Sequence, residues 1–178
     1  MIGVLVSGNG TNLQALIDSE IPIVCVASNR PGVRALERAR AAHLPARVFS
    51  LDEYPEREER DADMADWLEL HGVRLVVLAG YMHLLTAPFL ERFRERIVNV
   101  HPSLLPEFPG ARAIDDALAA GVDTTGVTVH FVDEGLDTGA VIRQEPVPVE
   151  PRATLVERIH SVEHRLLPAV VRELCAAR

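Results

Sequence analysis

One short stretch of the sequence places an amide and an imidazole two residues apart. Asn99 and His101 belong to the run Asn99–Pro106, which reads NVHPSLLP. On an extended chain, residues i and i+2 face the same side, so these two side chains are expected to project together. An amide can stabilise a developing oxyanion and a histidine can move a proton near neutral pH, so the pair suits acyl transfer. The structural alternative is an asparagine and a histidine that close a rigid proline turn.

A glycine-rich run near the N-terminus has the composition of an anion-binding loop. Residues Ser7–Asn12 read SGNGTN and precede a predicted helix. Glycines allow backbone N–H groups to approach a ligand closely, and the N-terminus of a helix favours a negative charge. The run is not a dinucleotide fingerprint, because Leu13 occupies the third glycine position and the second predicted strand ends in Ser28–Arg30 without an acidic residue. It favours a phosphate monoester, and the alternative is a tight turn that binds nothing.

A third loop, Asp133–Gly139, holds Asp137 between two glycines. Aspartate and glycine are ordinary turn residues, so a structural role is the simpler interpretation of the composition alone. The loop connects two predicted strands, however, and we expect it to border the same crevice as His101. A carboxylate in that position would favour the imidazolium form and would orient the ring.

Other catalytic chemistries find less support in the sequence. His130 lies in the middle of a predicted strand, where a core residue or a neighbour of the reactive residues is the expected role. No C-x-x-C or H-E-x-x-H spacing occurs, so no metal site is predicted. No G-x-S-x-G occurs either, which disfavours a serine nucleophile although Ser103 follows His101 closely.

Strands and helices alternate along the chain and must position these loops. Apolar or alternating runs predict strands at Ile2–Val6, Ile23–Ala27, Arg47–Phe49, Val73–Ala79, Ile97–Val100, Thr125–Val132 and Ala140–Arg143. The run at Val73–Ala79 is apolar on both faces, as a central parallel strand would be. This alternation predicts an α/β fold with a doubly wound, mostly parallel, Rossmann-like sheet. Its ligand crevice is expected beyond the carboxyl ends of the central strands.

Two helix starts carry the pattern of a capping box. Ser50 with Glu53 and Thr154 with Glu157 have the S/T-x-x-E spacing that begins many helices. Pro168 falls within the predicted final helix and is expected to kink or divide it. We therefore expect a capped helix after residue 50 and a capped, interrupted helix near the C-terminus.

Length, charge and apolar content limit the class of ligand. The 178 residues suit one domain, residues 1–178, and the formal net charge is −8. A polyanion would normally meet a basic surface, so small molecules are the expected partners rather than nucleic acid. No apolar run approaches the ~20 residues of a membrane span, and the N-terminus MIGVLVSG resembles a strand rather than a signal peptide. Two cysteines predict no disulfide framework, so a cytoplasmic protein is expected, of open oligomeric state.

Four segments together resemble the phosphoribosylglycinamide formyltransferase family, the folate-dependent enzymes of purine synthesis. They are SGNGTNLQALID at Ser7–Asp18, VVLAGYM at Val76–Met82, NVHPSLLPEFPG at Asn99–Gly110 and LDTGAVI at Leu136–Ile142. The resemblance runs from Ile2 to about Pro168. The N-x-H-P-S-L-L-P motif is specific for formyltetrahydrofolate enzymes, and the SGNGTNLQ run indicates the glycinamide branch.

The resemblance implies an activity and a set of site residues. The activity is transfer of the formyl group of 10-formyltetrahydrofolate, as co-substrate, to the amine of 5-phosphoribosylglycinamide, without a metal. The implied roles are catalysis for Asn99, His101 and Asp137, ribonucleotide binding for Gly10, Thr11, Asn12 and Glu163, and folate binding for Arg57, Met82, His83, Leu84, Leu85 and Asn99. The family fold, a formyltransferase domain with a parallel sheet, agrees with the alternation of strands and helices.

A departure at His83 and three alternatives accompany the resemblance. His83 stands where the family usually has an arginine after Gly-Tyr/Phe-Met, which leaves the role of this side chain open. A formyltetrahydrofolate deformylase would use the same trio with water as acceptor, but Ser7–Asn12 would then lack a ligand. The methionyl-tRNA formyltransferases share HPSLLP but need a further tRNA-binding domain and a more basic surface. A catalytically inactive folate- or nucleotide-binding module would keep the trio only as structure.

Overall fold

The computed structural model describes residues 1–177 as alternating strands and helices. Within these residues the sheet strands are β1 (Ile2–Val6), β2 (Ile23–Ser28), β3 (Ala46–Val48), β4 (Leu75–Leu78), β5 (Ile97–His101), β6 (Thr124–Phe131) and β7 (Val141–Pro148). Their order across the sheet is β3-β2-β1-β4-β5-β6-β7. Strand β1 pairs in parallel with β2 and β4, and β2 with β3, whereas β6 and β7 are antiparallel. The predicted α/β fold with a doubly wound, mostly parallel sheet is confirmed.

The helices of the described residues follow the strands in turn. They are α1 (Thr11–Asp18), α2 (Arg34–Ala41), α3 (Arg57–Leu70), α4 (Ala87–Arg92), α5 (Ala113–Ala120) and α6 (Leu155–Ala176), with short 3-10 helices at Leu51–Glu53 and Arg152–Thr154. None of the helices in residues 1–177 combines the length and the apolar character that a membrane span requires. The chain divides into two compact units, Met1–Val98 and Asn99 onward.

In the first unit, β1 and β4 are buried strands at the centre of the strand order. Ile2, Val4 and Val77 have no exposed surface, and the remaining residues of both strands are buried as well. Aliphatic residues on both faces are typical of a central parallel strand. The strand order reverses between β1 and β4, because β2 and β3 lie on the far side of β1. The loops after these two strands therefore begin at the same edge, the usual place of a ligand crevice.

In the second unit, β6 and β7 fix the proline-rich segment that follows β5. The Thr128 hydroxyl donates to the Ser103 carbonyl oxygen at 2.7 Å and accepts from the Leu105 N–H at 3.1 Å and from the Gln144 amide at 2.9 Å. The Gln144 amide also donates to the Leu105 carbonyl oxygen at 2.8 Å. Thr128 is fully buried, so losing any of these bonds would leave a polar group without water. The backbone next to His101 is thereby held in place.

Both predicted capping boxes are wrong. Neither Ser50 nor Thr154 caps a helix with its side chain. A 3-10 helix rather than an α-helix follows Ser50, and the Thr154 backbone (φ −112°, ψ 7°) lies outside the extended region that an N-cap requires. The Thr154 hydroxyl instead donates to the Pro151 carbonyl oxygen at 3.3 Å. Helix α6 also continues through Pro168, which is buried, so packing of the helix outweighs the missing N–H bond.

Strand β7 is longer than the predicted run Ala140–Arg143 and extends from Val141 to Pro148. The longer strand contains Pro146 and Pro148, which cannot donate to a neighbouring strand. Strand β7 lies at the edge of the sheet, where a proline can direct its missing N–H away from the ladder.

Candidate active site

Four side chains of the second unit form a connected group at the end of β5. The Asn99 amide nitrogen lies 3.2 Å from Nε2 of His130, and the same ring nitrogen lies 3.6 Å from Oδ1 of Asp137. The second oxygen of Asp137 lies 3.5 Å from Nδ1 of His101. We call Asn99, His101, His130 and Asp137 the acid–base cluster. It brings together the three residues predicted as catalytic and adds His130, for which the sequence indicates only a core or neighbouring role.

Backbone carbonyl groups determine which ring nitrogens of the acid–base cluster carry protons. Nε2 of His101 lies 2.8 Å from the Phe108 carbonyl oxygen, and Nδ1 of His130 lies 2.7 Å from the Phe131 carbonyl oxygen. A carbonyl oxygen can only accept, so both nitrogens must be protonated. In neutral His130 the other nitrogen then accepts from the Asn99 amide, which leaves the second amide hydrogen of Asn99 for a ligand. In protonated His130 the same nitrogen donates towards Oδ1 of Asp137. In protonated His101 both N–H groups have an acceptor, since Nδ1 faces a carboxylate.

Asp137 is held as a carboxylate in a loop of restricted shape. Burial opposes its ionisation, but the His130 ring, the Gly110 N–H at 2.8 Å and the charge of His101 outweigh that effect and hold the pKa of the carboxyl below its usual range. The Asp137 backbone has φ 54°, a left-handed conformation that aspartate tolerates better than most residues. Two residues later only glycine fits, because a Cβ on Gly139 would lie 1.8 Å from a carbonyl oxygen.

The glycine loop, Ser7–Asn12, connects β1 to α1 in the first unit. Gly10 has φ 71°, and a Cβ there would lie 2.6 Å from that of Ala35, so glycine is required on both counts. Arg38 of α2 donates to the Asn9 carbonyl oxygen at 2.9 Å and fixes the loop further. The first turn of α1 contains no acidic residue, and its N–H groups have no carbonyl acceptor within the helix. The predicted phosphate-binding residues therefore lie at a helix end that can receive an anion.

The segment Met82–Leu85, predicted to hold the folate, meets the glycine loop. The Met82 N–H donates to Oγ of Ser7 at 2.9 Å, and the Ser7 hydroxyl donates to Oδ1 of Asn29 at 2.6 Å. The Met82 and Leu84 residues are 60% and 57% exposed, which leaves apolar surface for the ring of a ligand. The loops after β1 and β4 are thus joined at the point where the strand order reverses, in agreement with the expected crevice.

A buried ion pair of α3 lies behind this segment. Nε of Arg60 lies 2.6 Å from Oδ1 of Asp61, and neither side chain is exposed. The second oxygen of Asp61 accepts from the N–H and the hydroxyl of Thr86, both at 2.8 Å. Arg60 also donates to Nδ1 of His83 at 3.3 Å, so the His83 side chain has a specific partner. Burial lowers the pKa of the His83 ring, and the charges of Arg60 and Arg57 lower it further. The predicted folate residue Arg57 therefore acts electrostatically on this segment.

Helix α6 carries the last predicted site residue. Glu163 is 6% exposed and belongs to the same unit as the acid–base cluster. The neighbouring His160 and His164 have the four-residue spacing of two metal ligands on a helix, and their rings stack with centroids 6.1 Å apart. In the part of the chain that the structure describes, however, no group of three or more histidine, cysteine, aspartate or glutamate side chains is arranged to hold a metal.

Sequence reasoning missed the buried pair Arg60 and Asp61, although one signal was present. Asp61 precedes Met64, Ala65 and Leu68 at intervals of three, four and seven residues, so it falls on the apolar face of α3. Those three residues have no exposed surface. A carboxylate on such a face must find donors, and Thr86 with Arg60 supplies them.

Comparison with known proteins identifies the class to which this fold and site belong. The sequence profile described as formyl transferase matches residues 1–171. The phosphoribosylglycinamide formyltransferase of Bacillus subtilis is 38% identical over 183 residues, which cover 96% of this chain and 92% of that protein. The chain therefore belongs to the formyl transferase family, and the family resemblance inferred from its motifs is confirmed.

Two further relatives define the branch of the family more closely. The crystal structure of glycinamide ribonucleotide transformylase 1 from Symbiobacterium toebii matches with a TM-score of 0.95 and 46% identity, over 99% of this chain and 88% of that chain. The trifunctional purine biosynthetic protein adenosine-3 of Drosophila melanogaster is 46% identical over 94% of this chain. The match covers only 13% of that longer protein, so the chain spans a small part of its trifunctional relatives.

Proposed function

We propose that this protein transfers the formyl group of 10-formyltetrahydrofolate to the amine of 5-phosphoribosylglycinamide, a step of purine (IMP) biosynthesis. The observation that carries the proposal is the acid–base cluster, in which an amide, two imidazoles and a carboxylate are connected by distances of 3.2, 3.6 and 3.5 Å. Such a group can stabilise an oxyanion and move protons, the two requirements of formyl transfer between nitrogens. The names of the relatives support the choice of the acceptor and of a formyl group as the group transferred.

In the proposed reaction the acceptor amine attacks the formyl carbon directly and forms a tetrahedral intermediate. The unused N–H of Asn99 and the Nε2–H of His101 would stabilise the negative charge that develops on the formyl oxygen. The attacking amine must lose a proton, and the departing folate nitrogen must gain one as its bond to carbon breaks. His101, with Asp137 as its partner, can relay these protons directly or through water.

One hydrogen bond must be exchanged for this reaction to proceed. The Nε2–H of His101 donates to the Phe108 carbonyl oxygen, so the formyl oxygen has to replace that acceptor. Phe108 has φ 51°, a left-handed conformation that costs a non-glycine residue about 1–2 kcal/mol. Movement of the Phe108 carbonyl group on substrate binding would free the Nε2–H of His101 for the formyl oxygen.

The proposal assigns binding roles to the remaining predicted residues. Gly10, Thr11 and Asn12 would hold the phosphate of the acceptor, and the positive end of α1 supports this role. The folate would contact Arg57 and Met82–Leu85 together with Asn99, which the exposed apolar side chains of that segment support. Glu163 would contact the ribose of the acceptor.

A formyltetrahydrofolate deformylase is the second candidate, because it would use the same cluster with water as acceptor. The glycine loop favours the transferase, since a deformylase has no phosphate to place there. Purified protein should be mixed with 10-formyltetrahydrofolate, with and without glycinamide ribonucleotide, while the released folate is measured. We expect release only with the ribonucleotide. Equal release in water would support the deformylase, and no release in either case would indicate an inactive binding module.

We also propose that residues 1–178 act as a single formyltransferase domain in the cytoplasm, with small molecules as partners. The formal net charge of −8 supports small substrates over nucleic acid and disfavours a methionyl-tRNA formyltransferase. Retention of the protein on tRNA or on anionic vesicles at physiological salt would contradict this proposal.

A further inference from the structure

Helix α2 donates hydrogen bonds to two consecutive carbonyl groups of the glycine loop. The Ala35 N–H donates to the Gly8 carbonyl oxygen at 3.0 Å, and Nε of Arg38 donates to the Asn9 carbonyl oxygen at 2.9 Å. The first bond joins two backbone groups, whereas the second depends on the side chain of Arg38. The function proposed above gives this side chain no part in binding either substrate.

These two bonds orient the N–H groups of the loop. In a trans peptide the C=O and N–H bonds point in opposite directions, so a carbonyl group that faces α2 turns the N–H of the next residue away from that helix. The next residues are Asn9 and Gly10, and both follow trans peptide bonds. Within residues 1–177 neither of their N–H groups donates to a backbone carbonyl oxygen. Two amide donors therefore lie on the side of the loop opposite α2, next to the N-terminus of α1.

A second hydrogen bond fixes the side chain of Arg38. Nη1 of Arg38 donates to Oε1 of Gln14 at 3.1 Å, and the Gln14 amide nitrogen donates to Oδ1 of Asp18 at 2.8 Å. A guanidinium can only donate, so Arg38 must face the oxygen of the amide, which leaves the nitrogen for Asp18. The stem of Arg38 also packs close to the loop, since a Cβ on Gly10 would lie 3.4 Å from Cδ of Arg38. Arg38 thus connects the glycine loop to helix α1.

The hydrogen bonds of Arg38 leave its charge without a counterion. Both acceptors, the Asn9 carbonyl group and the side-chain carbonyl group of Gln14, are uncharged amide oxygens. Arg38 is half-buried, so solvent screens its charge less than that of a fully exposed arginine. In a chain of net charge −8 the guanidinium therefore adds positive potential at the glycine loop. The same side chain can hold the loop and favour a bound anion.

We propose that Arg38 is a positioning residue for the phosphate of the acceptor, because it holds the glycine loop in the conformation that presents the N–H groups of Asn9 and Gly10. The inference rests on the proposed function, which supplies 5-phosphoribosylglycinamide as the ligand of the loop. Nε and Nη1 of Arg38 are occupied by the loop and by Gln14, so Arg38 acts through the loop. A lysine would not replace it fully, since an ammonium group is a point charge and lacks the planar fork that reaches two acceptors.

Steady-state kinetics of three variants test this role. In Arg38→Gln the KM for glycinamide ribonucleotide should rise about tenfold, because a charge-assisted hydrogen bond to the loop is lost. The kcat and the KM for the folate should stay near those of the wild type. Arg38→Lys keeps the charge without the fork and should raise the same KM about threefold, and it remains informative if Arg38→Gln does not fold. Arg40→Gln is the matched control, since it removes the same charge from an exposed residue of α2 and should change the KM less than about twofold.

A titration with inorganic phosphate tests the same role without the reaction. The backbone amide resonances of Asn9 and Gly10 are followed in ¹⁵N-labelled protein, and we expect saturable shifts in the wild type and in Arg40→Gln. In Arg38→Gln the Kd for phosphate should be about tenfold higher.

Four outcomes would overturn the role of Arg38. They are resonances of Asn9 and Gly10 that do not shift in the wild type at about 20 mM phosphate, equal weakening in Arg38→Gln and Arg40→Gln, an equal rise of both KM values in Arg38→Gln, and full recovery in Arg38→Lys, which would leave charge as the only cause. The titration contains no formyl donor. Phosphate binding of the expected pattern in a protein that transfers no formyl group would therefore refute the proposed function and leave Arg38 as the support of a phosphate loop.

Discussion

The acid–base cluster and the segment Met82–Leu85 are built in opposite ways. In the cluster, His101 and His130 are 4% and 1% exposed, and each of their ring nitrogens lies next to another side chain or a backbone carbonyl. In the segment, Met82 and Leu84 are more than half exposed, and the backbone is held from behind by Ser7 and by Asp61 through Thr86. The proposed function thus gives the chemistry to buried side chains that orient one another. It gives the contact with the folate to exposed side chains on a backbone that is held from behind. We expect substitutions in the first region to be costly and those in the second to be tolerated.

The largest effect should follow His101→Gln, which keeps a polar side chain but removes the acid–base function. We expect kcat to fall about 10²–10⁴-fold, the usual contribution of a positioned general acid–base. Steady-state assays and thermal unfolding should be measured together. His43→Asn is the control, because His43 is exposed and its φ of 56° suits asparagine. A similar loss of activity in both variants would contradict a special role for His101.

A smaller and more selective effect is expected from Thr11→Asp. Thr11 is the first residue of α1, where a carboxylate favours the helix but repels a bound phosphate. The KM for glycinamide ribonucleotide should rise about tenfold or more while the KM for the folate changes little. Thr154→Asp places the same charge at the start of α6 and should leave both values near those of the wild type. An equal rise of both KM values in Thr11→Asp would make the glycine loop a structural turn.

A still smaller kinetic effect is expected from His83→Arg in the exposed segment. The KM for the folate should change less than tenfold, because the backbone support of the segment is unaltered. Arg60 would lose its acceptor on Nδ1 and face a like charge, so the free energy of unfolding should fall by about 1 kcal/mol. His83→Gln keeps an acceptor for Arg60 and should lose less stability. A loss of folate binding beyond tenfold in both variants would show that the His83 side chain is itself a specific contact.

The smallest effect concerns the pH dependence of stability. Since the pKa of Asp137 is lowered in the folded protein, its carboxylate stabilises the fold at pH values above the unfolded pKa of about 4. That contribution is lost as the pH falls through the folded pKa. Urea unfolding of the wild type and of Asp137→Asn should therefore show a stability difference at neutral pH that shrinks below about pH 4. A difference that is constant with pH would mean that the charge of Asp137 contributes nothing to stability.

Local patterns predicted most of the fold and part of the candidate site. The strand runs were readable because fully buried parallel strands are continuous aliphatic segments, as Val73–Ala79 illustrates. The proximity of Asn99 and His101 followed from the two-residue period of a strand. Strand β7 was underestimated because an edge strand tolerates prolines that a central strand would not.

The missed features depend on contacts between elements distant in the sequence. His130 gains its place in the acid–base cluster only when β5, β6 and the Asp137 loop come together. Arg60 is buried because Asp61 and His83 supply partners for it, and no local pattern contains that information. Ser50 and Thr154 have the composition of helix caps, but only a 3-10 helix follows Ser50, and the Thr154 backbone lies outside the extended region that an N-cap requires.

The most direct test of the account is the effect of Asp137→Asn on catalysis, compared with its effect on folding. Asparagine keeps the volume and tolerates the left-handed backbone of this position, but it removes the charge that faces His101. We predict that kcat falls by about 10²-fold or more, with the KM for glycinamide ribonucleotide near that of the wild type and only the small loss of stability at neutral pH that removal of the charge causes. The opposite pattern, reduced stability with an intact kcat, would make Asp137 a turn residue and would contradict the acid–base cluster as the centre of formyl transfer.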